Sequence, residues 1–273
     1  MNKLKQGVII AILALIHQDI FTQTISDTTR YISTLDELVF SASRNKDVRR
    51  SVSPQILLLK QSTIEESQAK SMAEVLSMTG QVFVQKSQAG GGSPVLRGFE
   101  ANRCLLVVDG VRLNNLIYRG GHLQNIITLD NQSLERVEIL FGPSSTMYGS
   151  DALGGVIHMT TKSLEFAGNE KSPILRLNAF GRISSAEKER TIHADFQLGG
   201  KKWSMLTSLT ASNFGDVTMG KMINPFYGKS FGERPYYIQR INGRDSLLPN
   251  DNQYAQVQSA YQQFDIVQKL GYK

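Results

Sequence analysis

Hydrophobic and polar residues alternate with a period of two through much of the chain after residue 165. Four stretches show the pattern, with apolar side chains on one side and polar side chains on the other: 175–182, 191–198, 203–212 and 263–272. Because successive side chains of a strand point to opposite faces, each stretch predicts one strand. Strands of this kind are typical of a transmembrane β-barrel, but a soluble sandwich alternates in the same way.

The connections between these predicted strands differ greatly in length. Residues 199–202, Gly-Gly-Lys-Lys, predict a tight turn, whereas residues 213–257 predict a long polar and aromatic loop. Short turns on one side and long loops on the other are typical of outer-membrane barrels. The connections therefore favour a barrel, with the tight turn in the periplasm and the long loop outside the cell.

Residues 54–165 lack regular alternation and predict a compact α+β domain of ordinary size. Apolar runs at 56–59, 82–84, 105–113, 134–141 and 152–157 predict strands or lead into them. Two Ser/Thr-x-x-Glu sequences, beginning at Thr63 and Ser71, predict helix starts, and Asp109-Gly110 predicts a hairpin turn. The glycine-rich residues 89–93 are not followed by Gly-Lys-Ser/Thr, which excludes a phosphate-binding loop.

The N-terminus predicts an export signal over residues 1–24. Lys3 and Lys5 precede an apolar run at 7–16, which is the order of a secretory signal and too short to cross a bilayer as a helix. Residues 25–53 follow as a polar arm with one alternating patch at 35–42. Such a patch can be captured by the sheet edge of a partner protein, or it can be an edge strand of the next domain.

The charge distribution and the absence of catalytic motifs argue against two classes of function. The net charge of +6 comes from scattered basic residues, without a base-reading helix or an aromatic platform, so no nucleic-acid partner is expected. No nucleophile elbow, zinc-ligand spacing or dinucleotide fingerprint occurs, so the chain is not expected to be an enzyme. The single cysteine, Cys104, is predicted to be a small buried hydrophobe.

An ordered series of motifs in residues 54–165 resembles the plug domain of TonB-dependent outer-membrane receptors. The motifs are Arg97-Gly98-Phe99, Val107-Val108-Asp109-Gly110-Val111-Arg112, Leu134-Glu135-Arg136-Val137-Glu138-Ile139-Leu140, Gly142-Pro143-Ser144, Met147-Tyr148-Gly149 and Ala152-Leu153-Gly154-Gly155-Val156-Ile157. The resemblance implies an α+β plug followed by the start of an antiparallel transmembrane barrel over residues 166–273. Since the family closes about 22 strands and only four are counted here, we expect a truncated product or a fragment, with closure of the barrel by oligomerisation as the alternative.

The resemblance also implies partners and contact residues. A segment like the TonB box, which pairs with the energy-coupling protein TonB, consists of Glu37, Leu38, Val39, Phe40, Ser41 and Ala42. Outer-membrane lipid is the second implied partner, and no resident cofactor is implied. Arg97 and Arg136 resemble the plug arginines that pair with barrel glutamates. Their partners would follow Lys273, so both arginines are expected to be unpaired here.

One segment gives an indication of the transported ligand. Tyr118-Arg119-Gly120-Gly121-His122-Leu123 resembles the plug segment of haem and haemoglobin receptors. The resemblance makes His122 a candidate ligand of haem iron, with Tyr118 as a second candidate and Arg119 as a partner for a propionate. The predicted function is TonB-dependent uptake of an iron-containing ligand, with haem favoured, and the implied ligand partner is a small-molecule iron complex or a haem protein. The alternatives are an exposed His122 without a ligand, a siderophore or cobalamin receptor, and a soluble periplasmic plug-like binding module.

Overall fold

The computed structural model of the protein describes residues 38–39, 47–48, 55–86, 91–100, 103–113, 126, 129–168, 173–223, 225–226, 228 and 232–273. These residues belong to one compact unit, Glu37–Lys273. The predicted export signal lies outside the described residues. Among those that are described, no helix has the length and apolar character needed to span a bilayer.

The first part of the chain, which we call the N-terminal domain, is a mixed α and β unit. Its elements are β1 (Leu38–Val39), β2 (Asp47–Val48), β3 (Gln55–Lys60), α1 (Gln61–Glu66), α2 (Met72–Met78), β4 (Phe83–Gln85), β5 (Ser93–Val95), β6 (Cys104–Val108), β7 (Val111–Arg112), β8 (Leu134–Phe141), α3 (Ser145–Tyr148) and β9 (Gly155–Thr161). Five strands form one sheet in the order β3-β8-β9-β6-β7, in which β6 and β9 are parallel and the other neighbours are antiparallel. The predicted α+β class is confirmed.

The central strands of this sheet are apolar on both faces because both faces are covered. The larger core cluster packs side chains of α2 such as Met72 and Leu76 against the sheet, and a smaller cluster contains Val39 and Tyr148. A strand that is covered on both faces has a continuous apolar run, which explains why this part of the chain does not alternate. Cys104 is fully buried in the larger cluster, and burial raises the pKa of its thiol to about 11.

Two of the three short sequence motifs that predicted helix starts and a hairpin turn were correct. Ser71 precedes the first residue of α2, as predicted, and the carboxylate of Glu74 accepts a hydrogen bond from the backbone N–H of Lys70 at 2.9 Å. The helix start predicted at Thr63 is wrong, because α1 begins at Gln61 directly after β3. Asp109 and Gly110 both have positive φ, 47° and 83°, which is the geometry of the predicted tight hairpin turn.

The second part of the chain forms a four-stranded antiparallel sheet, which we call the C-terminal sheet. Its strands, in sheet order, are β10 (Ile174–Ser184), β11 (Glu189–Gly199), β12 (Trp203–Phe214) and β17 (Tyr261–Tyr272). The region predicted as a long loop contains β13 (Val217–Thr218), β14 (Tyr236–Ile241), β15 (Arg244–Pro249) and β16 (Ala255–Gln256), paired as β13–β16 and β14–β15. Within the described residues the C-terminal sheet is not closed, since β10 and β17 lie at its edges.

The two faces of the C-terminal sheet reverse the usual burial of a soluble protein. The apolar face is exposed, with Ile192 at 70% and Trp203 at 67% exposure. The polar face is buried against the N-terminal domain, and Thr191, His193 and Asp195 are each at most 3% exposed. A soluble sandwich would bury the apolar face instead. The arrangement is that of a barrel wall, with apolar side chains outside and polar side chains inside.

Gly155 is a position where the N-terminal domain tolerates no side chain. A Cβ there would collide with the backbone oxygen of Leu140, and the φ of Gly155, +151°, disfavours other residues. We predict that Gly155→Ala lowers the free energy of unfolding of this domain by about 1–3 kcal/mol. The measurement is the urea midpoint at which Cys104 becomes reactive to a thiol reagent in the purified protein.

Gly181→Ala in β10 is the matched control for this substitution. A Cβ at Gly181 meets nothing closer than the backbone oxygen of Thr191 at 3.9 Å. The urea midpoint should therefore stay within about 0.5 kcal/mol of the parent value. Equal losses in the two variants would contradict the proposed close approach at Gly155.

Candidate functional site

The polar contact between the N-terminal domain and the C-terminal sheet is centred on His193 of β11. The ring Nδ1 of His193 lies 2.7 Å from Thr210 Oγ1, and its Nε2 lies 3.3 Å from Asp195 Oδ2. Thr210 Oγ1 in turn lies 2.5 Å from Oδ2 of Asp130, which belongs to the N-terminal domain. A continuous chain of four buried side chains therefore joins the sheet to the domain.

Asp130 is held in place by its own local structure. It caps the 3-10 turn Asn131–Ser133, and its Oδ1 accepts a hydrogen bond from the backbone N–H of Gln132 at 3.0 Å. This leaves Oδ2 free to point at the sheet. Phe180 of β10 stacks on the ring of His193, with centroids 5.1 Å apart, which explains why an aromatic residue interrupts the polar positions of β10.

A buried ion pair lies beside this chain of side chains. Lys162, directly after β9, places its Nζ 2.6 Å from Asp195 Oδ2, and the Asn178 amide donates to Oδ1 of the same carboxylate at 2.8 Å. The side chain of Lys162 is 16% exposed and that of Asp195 is 3% exposed. Because both charges are withdrawn from water, removing one partner leaves the other buried and uncompensated.

Further ionic contacts extend along the same interface. The guanidinium of Arg182 binds Glu189 at 2.7 Å and also donates to the backbone oxygens of Gln68 and Ala69 at 3.3 Å. Lys70 of the N-terminal domain pairs with Glu187 at 3.0 Å. At the other edge of the sheet, Lys269 of β17 pairs with Asp109 at 3.3 Å, and Asp109 also accepts from Thr161.

The segment that resembles the TonB box is only partly described. Leu38 and Val39 form β1 and pair with β2, in the register Leu38↔Val48 and Val39↔Asp47. Val39 is 0% exposed and packs in the smaller core cluster with Ile56 and Tyr148. The remaining residues of the segment lie outside the described part of the chain: Glu37, Phe40, Ser41 and Ala42.

The predicted ligand residues Tyr118, Arg119 and His122 also lie outside the described residues. The structure therefore does not test their role toward haem iron. Among the residues that it does describe, no group of three or more His, Cys, Asp or Glu side chains is placed to hold a metal ion.

The two arginines predicted to contact the barrel are not unpaired, so that expectation is wrong. Arg136 forms an ion pair with Glu138, two residues further along β8, with Nε 3.1 Å from Oε1. Arg97 donates to Gln55 at 2.5 Å, and its guanidinium lies 5.5 Å from the ring centroid of Phe141. Acceptors within the N-terminal domain therefore bind both side chains. Their role as contacts to further strands stays a prediction.

The side chains that join the domain to the sheet were not predicted as a site. Sequence analysis places His193 on the polar face of its strand, but it gives no role to Asp130, Lys162 or Thr210. The sequence did contain an indication of this contact. A polar strand face that carries His193 and Asp195 requires polar partners if it is buried.

Lys162→Met tests the buried ion pair. We predict that it lowers the free energy of unfolding of the N-terminal domain by about 3 kcal/mol, because Asp195 remains buried without its cation. The double variant Lys162→Met, Asp195→Leu should regain much of this loss, since no charge is then left uncompensated. The urea midpoint of Cys104 exposure again measures the change.

The exposed ion pair of Arg240 and Asp245 supplies the control. Its atoms are 3.8 Å apart and both side chains are more than two-thirds exposed, so Arg240→Met should leave the urea midpoint unchanged. A Lys162→Met variant that behaves like Arg240→Met would show that the buried pair does not hold the domain.

Comparison with known proteins shows what the N-terminal domain is similar to. Residues 45–156 match the family model of the TonB-dependent receptor plug domain. The chain is 36% identical over 160 residues to the vitamin B12 transporter BtuB of Vibrio vulnificus strain CMCP6. That alignment covers 58% of this chain and 25% of the transporter, so the chain spans about a quarter of the length of this relative.

Two solved structures share the fold. The copper transporter OprC aligns with a TM-score of 0.52 at 16% identity, covering 60% of this chain and 25% of that protein. The pyoverdine outer membrane receptor FpvA from Pseudomonas aeruginosa PAO1 aligns with a TM-score of 0.52 at 17% identity, covering 65% and 24%. Residues 45–156 are therefore similar to the TonB-dependent receptor plug domain, and the chain shares the fold of these two proteins over the aligned part.

Proposed function

We propose that this chain supplies the plug and the first wall strands of an outer-membrane receptor that imports a small ligand with energy delivered through TonB. The observation that carries the proposal is the reversed burial of the C-terminal sheet, whose apolar face is exposed and whose polar face covers the plug. Strands of 11 or 12 residues, as in β10, β11, β12 and β17, are long enough to cross a bilayer when tilted.

The proposal also includes an export signal at residues 1–24 and further strands that pair with the edges of the C-terminal sheet. In hydrocarbon, the unpaired backbone groups of an edge strand cost several kcal/mol each. The edges of β10 and β17 therefore require neighbours before the sheet can lie in a membrane. The alternative of a soluble periplasmic module requires a cover for the exposed apolar face, and Ile192, Trp203 and Phe264 on that face disfavour it.

The arm at β1 supports coupling to TonB. β1 pairs with β2 and Val39 is buried, so β1 must first leave β2 before its backbone N–H and C=O groups can add as a strand to the sheet edge of a partner. Val39 is buried in the plug, so a pull on this arm would act directly on plug packing.

We predict that Val39→Pro abolishes coupling while ligand binding is retained. Proline removes the backbone N–H and cannot donate in a strand ladder, whereas Val39→Ala keeps that group and should lose far less. The measurement is photo-crosslinking of the receptor to TonB in intact cells, together with ligand uptake by a Gram-negative host that lacks its own receptor. Wild-type crosslinking of the proline variant would refute the strand-addition role.

Two observations support the same chemical class of cargo. The 36% identity to a vitamin B12 transporter, over an alignment of 160 residues, favours a cobalt corrinoid. The segment with Tyr118, Arg119 and His122 favours haem, with the imidazole of His122 on the iron. Cobalamin and haem are both tetrapyrrole macrocycles that carry a metal, so we propose a metal tetrapyrrole as the cargo.

Titration of the purified receptor with hemin and with cyanocobalamin distinguishes the two cargoes. If haem is the cargo, His122→Ala should weaken hemin binding by at least about tenfold and shift the Soret band, because the axial ligand is lost. His158→Ala, a plug histidine in β9, should leave binding unchanged. Binding of cyanocobalamin alone would assign the corrinoid, and binding of a ferric siderophore alone would contradict the tetrapyrrole proposal.

A further inference from the structure

The exposed apolar face of the C-terminal sheet ends at the tight turn between β11 and β12. Trp203, the first residue of β12, lies directly opposite Tyr272 of β17, and their ring centroids are 4.6 Å apart. Both side chains are exposed on the apolar face. Trp and Tyr concentrate at the level where hydrocarbon meets the headgroups of a bilayer, because each ring combines an apolar body with a polar hydrogen. The pair therefore marks one boundary of the apolar face.

The extent of the apolar face is consistent with this boundary. The outward-facing residues of β12 from Trp203 to Ala211 are uncharged, and so are those of β17 from Phe264 to Tyr272. A tilted strand of this length spans about 20 Å of depth, which is most of the apolar band of an outer-membrane barrel. At the far end of the face, the exposed Arg190 of β11 is the next charge on the same side.

Two lysines lie immediately beyond the aromatic pair. Lys201 and Lys202 belong to the tight turn, and both are exposed. The backbone of the turn is fixed, because the N–H of Gly200 donates to the backbone oxygen of Trp203 at 2.7 Å. The backbone oxygen of Lys202 also accepts from the N–H of Lys273 at 2.9 Å. The two ammonium groups are therefore tethered at the level where the apolar face ends.

Among the residues that the structure describes, no carboxylate pairs with either lysine of the turn. Glu165 lies at this end of the sheet, but it is bound to Arg176 at 2.8 Å. Lysines at the headgroup level attract the phosphate groups of lipids. A zwitterionic headgroup brings its own cation, so only a lipid with a net negative charge gains substantially from two further positive charges. The charge at this end of the sheet is therefore complementary to anionic lipid.

We propose that Lys201, Lys202, Trp203 and Tyr272, which we call the turn surface, bind the phosphate groups of anionic glycerophospholipids in the periplasmic leaflet. Short turns lie on the periplasmic side of outer-membrane barrels, so lipopolysaccharide of the outer leaflet meets the opposite end of the sheet. The inference rests on the proposed membrane location of the sheet, and it adds a class of lipid and the site that selects it.

The test uses the intact receptor in nanodiscs of phosphatidylcholine that contain a minor fraction of brominated lipid. Bromine on an acyl chain quenches the fluorescence of a tryptophan that it contacts, and Trp203 is the single tryptophan of this chain. The difference between the parent receptor and Trp203→Phe isolates this signal from tryptophans elsewhere in the receptor. Brominated phosphatidylglycerol is the anionic probe, and brominated phosphatidylcholine at equal fraction is the zwitterionic reference.

We expect phosphatidylglycerol to quench Trp203 at a lower mole fraction than phosphatidylcholine does. Each lysine near a membrane surface contributes about fivefold to the affinity for anionic lipid, so the two together give a preference of up to about twenty-fivefold. High salt should reduce this preference, because the lysines are exposed and their charges are screened. Lys201→Gln combined with Lys202→Gln should remove the preference, whereas Lys201→Arg combined with Lys202→Arg keeps both charges and should retain it.

Two single substitutions provide matched controls. Lys273 lies at the same end of the sheet, but its ammonium lies 5.1 Å from the ring centroid of Phe166. That ring is close to Gly271 on the inner face, away from lipid. Arg190 faces outward at the opposite end of the apolar face. Lys273→Gln and Arg190→Gln each remove one charge and should leave the lipid preference unchanged.

The possible failures of the inference and of the membrane location are distinguishable. Equal quenching of Trp203 by both brominated lipids in the parent receptor would overturn the lipid preference and leave the membrane location intact. Quenching by neither lipid would contradict the membrane location of this face, and the proposed function with it. A preference that persists in the double glutamine variant would overturn the role of the turn surface. Stronger displacement of the brominated probe by lipopolysaccharide than by phosphatidylglycerol would overturn the assignment to the periplasmic leaflet.

Discussion

Every polar side chain on the inner face of the C-terminal sheet must find a partner, because that face is buried and buried polar groups are costly when unmatched. This constraint makes the plug and the wall strands specify each other. Asp195 receives Lys162 and Asn178, and Glu189 receives Arg182. An apolar inner face would bind the plug without such matching. The wall therefore selects one placement of the plug through the positions of its charges.

The interior of the plug and its contact with the wall are stabilised by different forces. The plug interior is an apolar core that includes Met72, Leu76 and Ile139, whereas the wall contact consists of hydrogen bonds and ion pairs. Apolar burial is lost only when side chains separate and are hydrated. Ion pairs can exchange a protein partner for water more readily, since the hydration that each charge regains offsets the lost attraction.

Much of this fold could be predicted from the sequence, and the failures have identifiable causes. The alternation of apolar and polar residues predicted β11, β12 and β17 correctly, because only one face of each strand is apolar. The β14–β15 pair was missed because apolar side chains occupy both of its faces. Arg136 pairs with Glu138 on its own strand, which a search for distant partners overlooked. The link from Asp130 to Thr210 spans 80 residues, and no local pattern reports such a contact.

The contact between Asp130 and the C-terminal sheet lies close in sequence to the predicted ligand segment. Asp130 follows His122 by eight residues, and the 3-10 turn that Asp130 caps ends where β8 begins. If residues 118–122 bind the ligand, as proposed, the next described polar contact with the C-terminal sheet along the chain is that of Asp130 with Thr210. Because binding free energy can shift only equilibria whose two states it distinguishes, coupling between ligand and plug release requires an anchor shared by both. Asp130 would meet that requirement for a ligand bound at residues 118–122, since the chain joins it to them and its carboxylate contacts Thr210 of the C-terminal sheet.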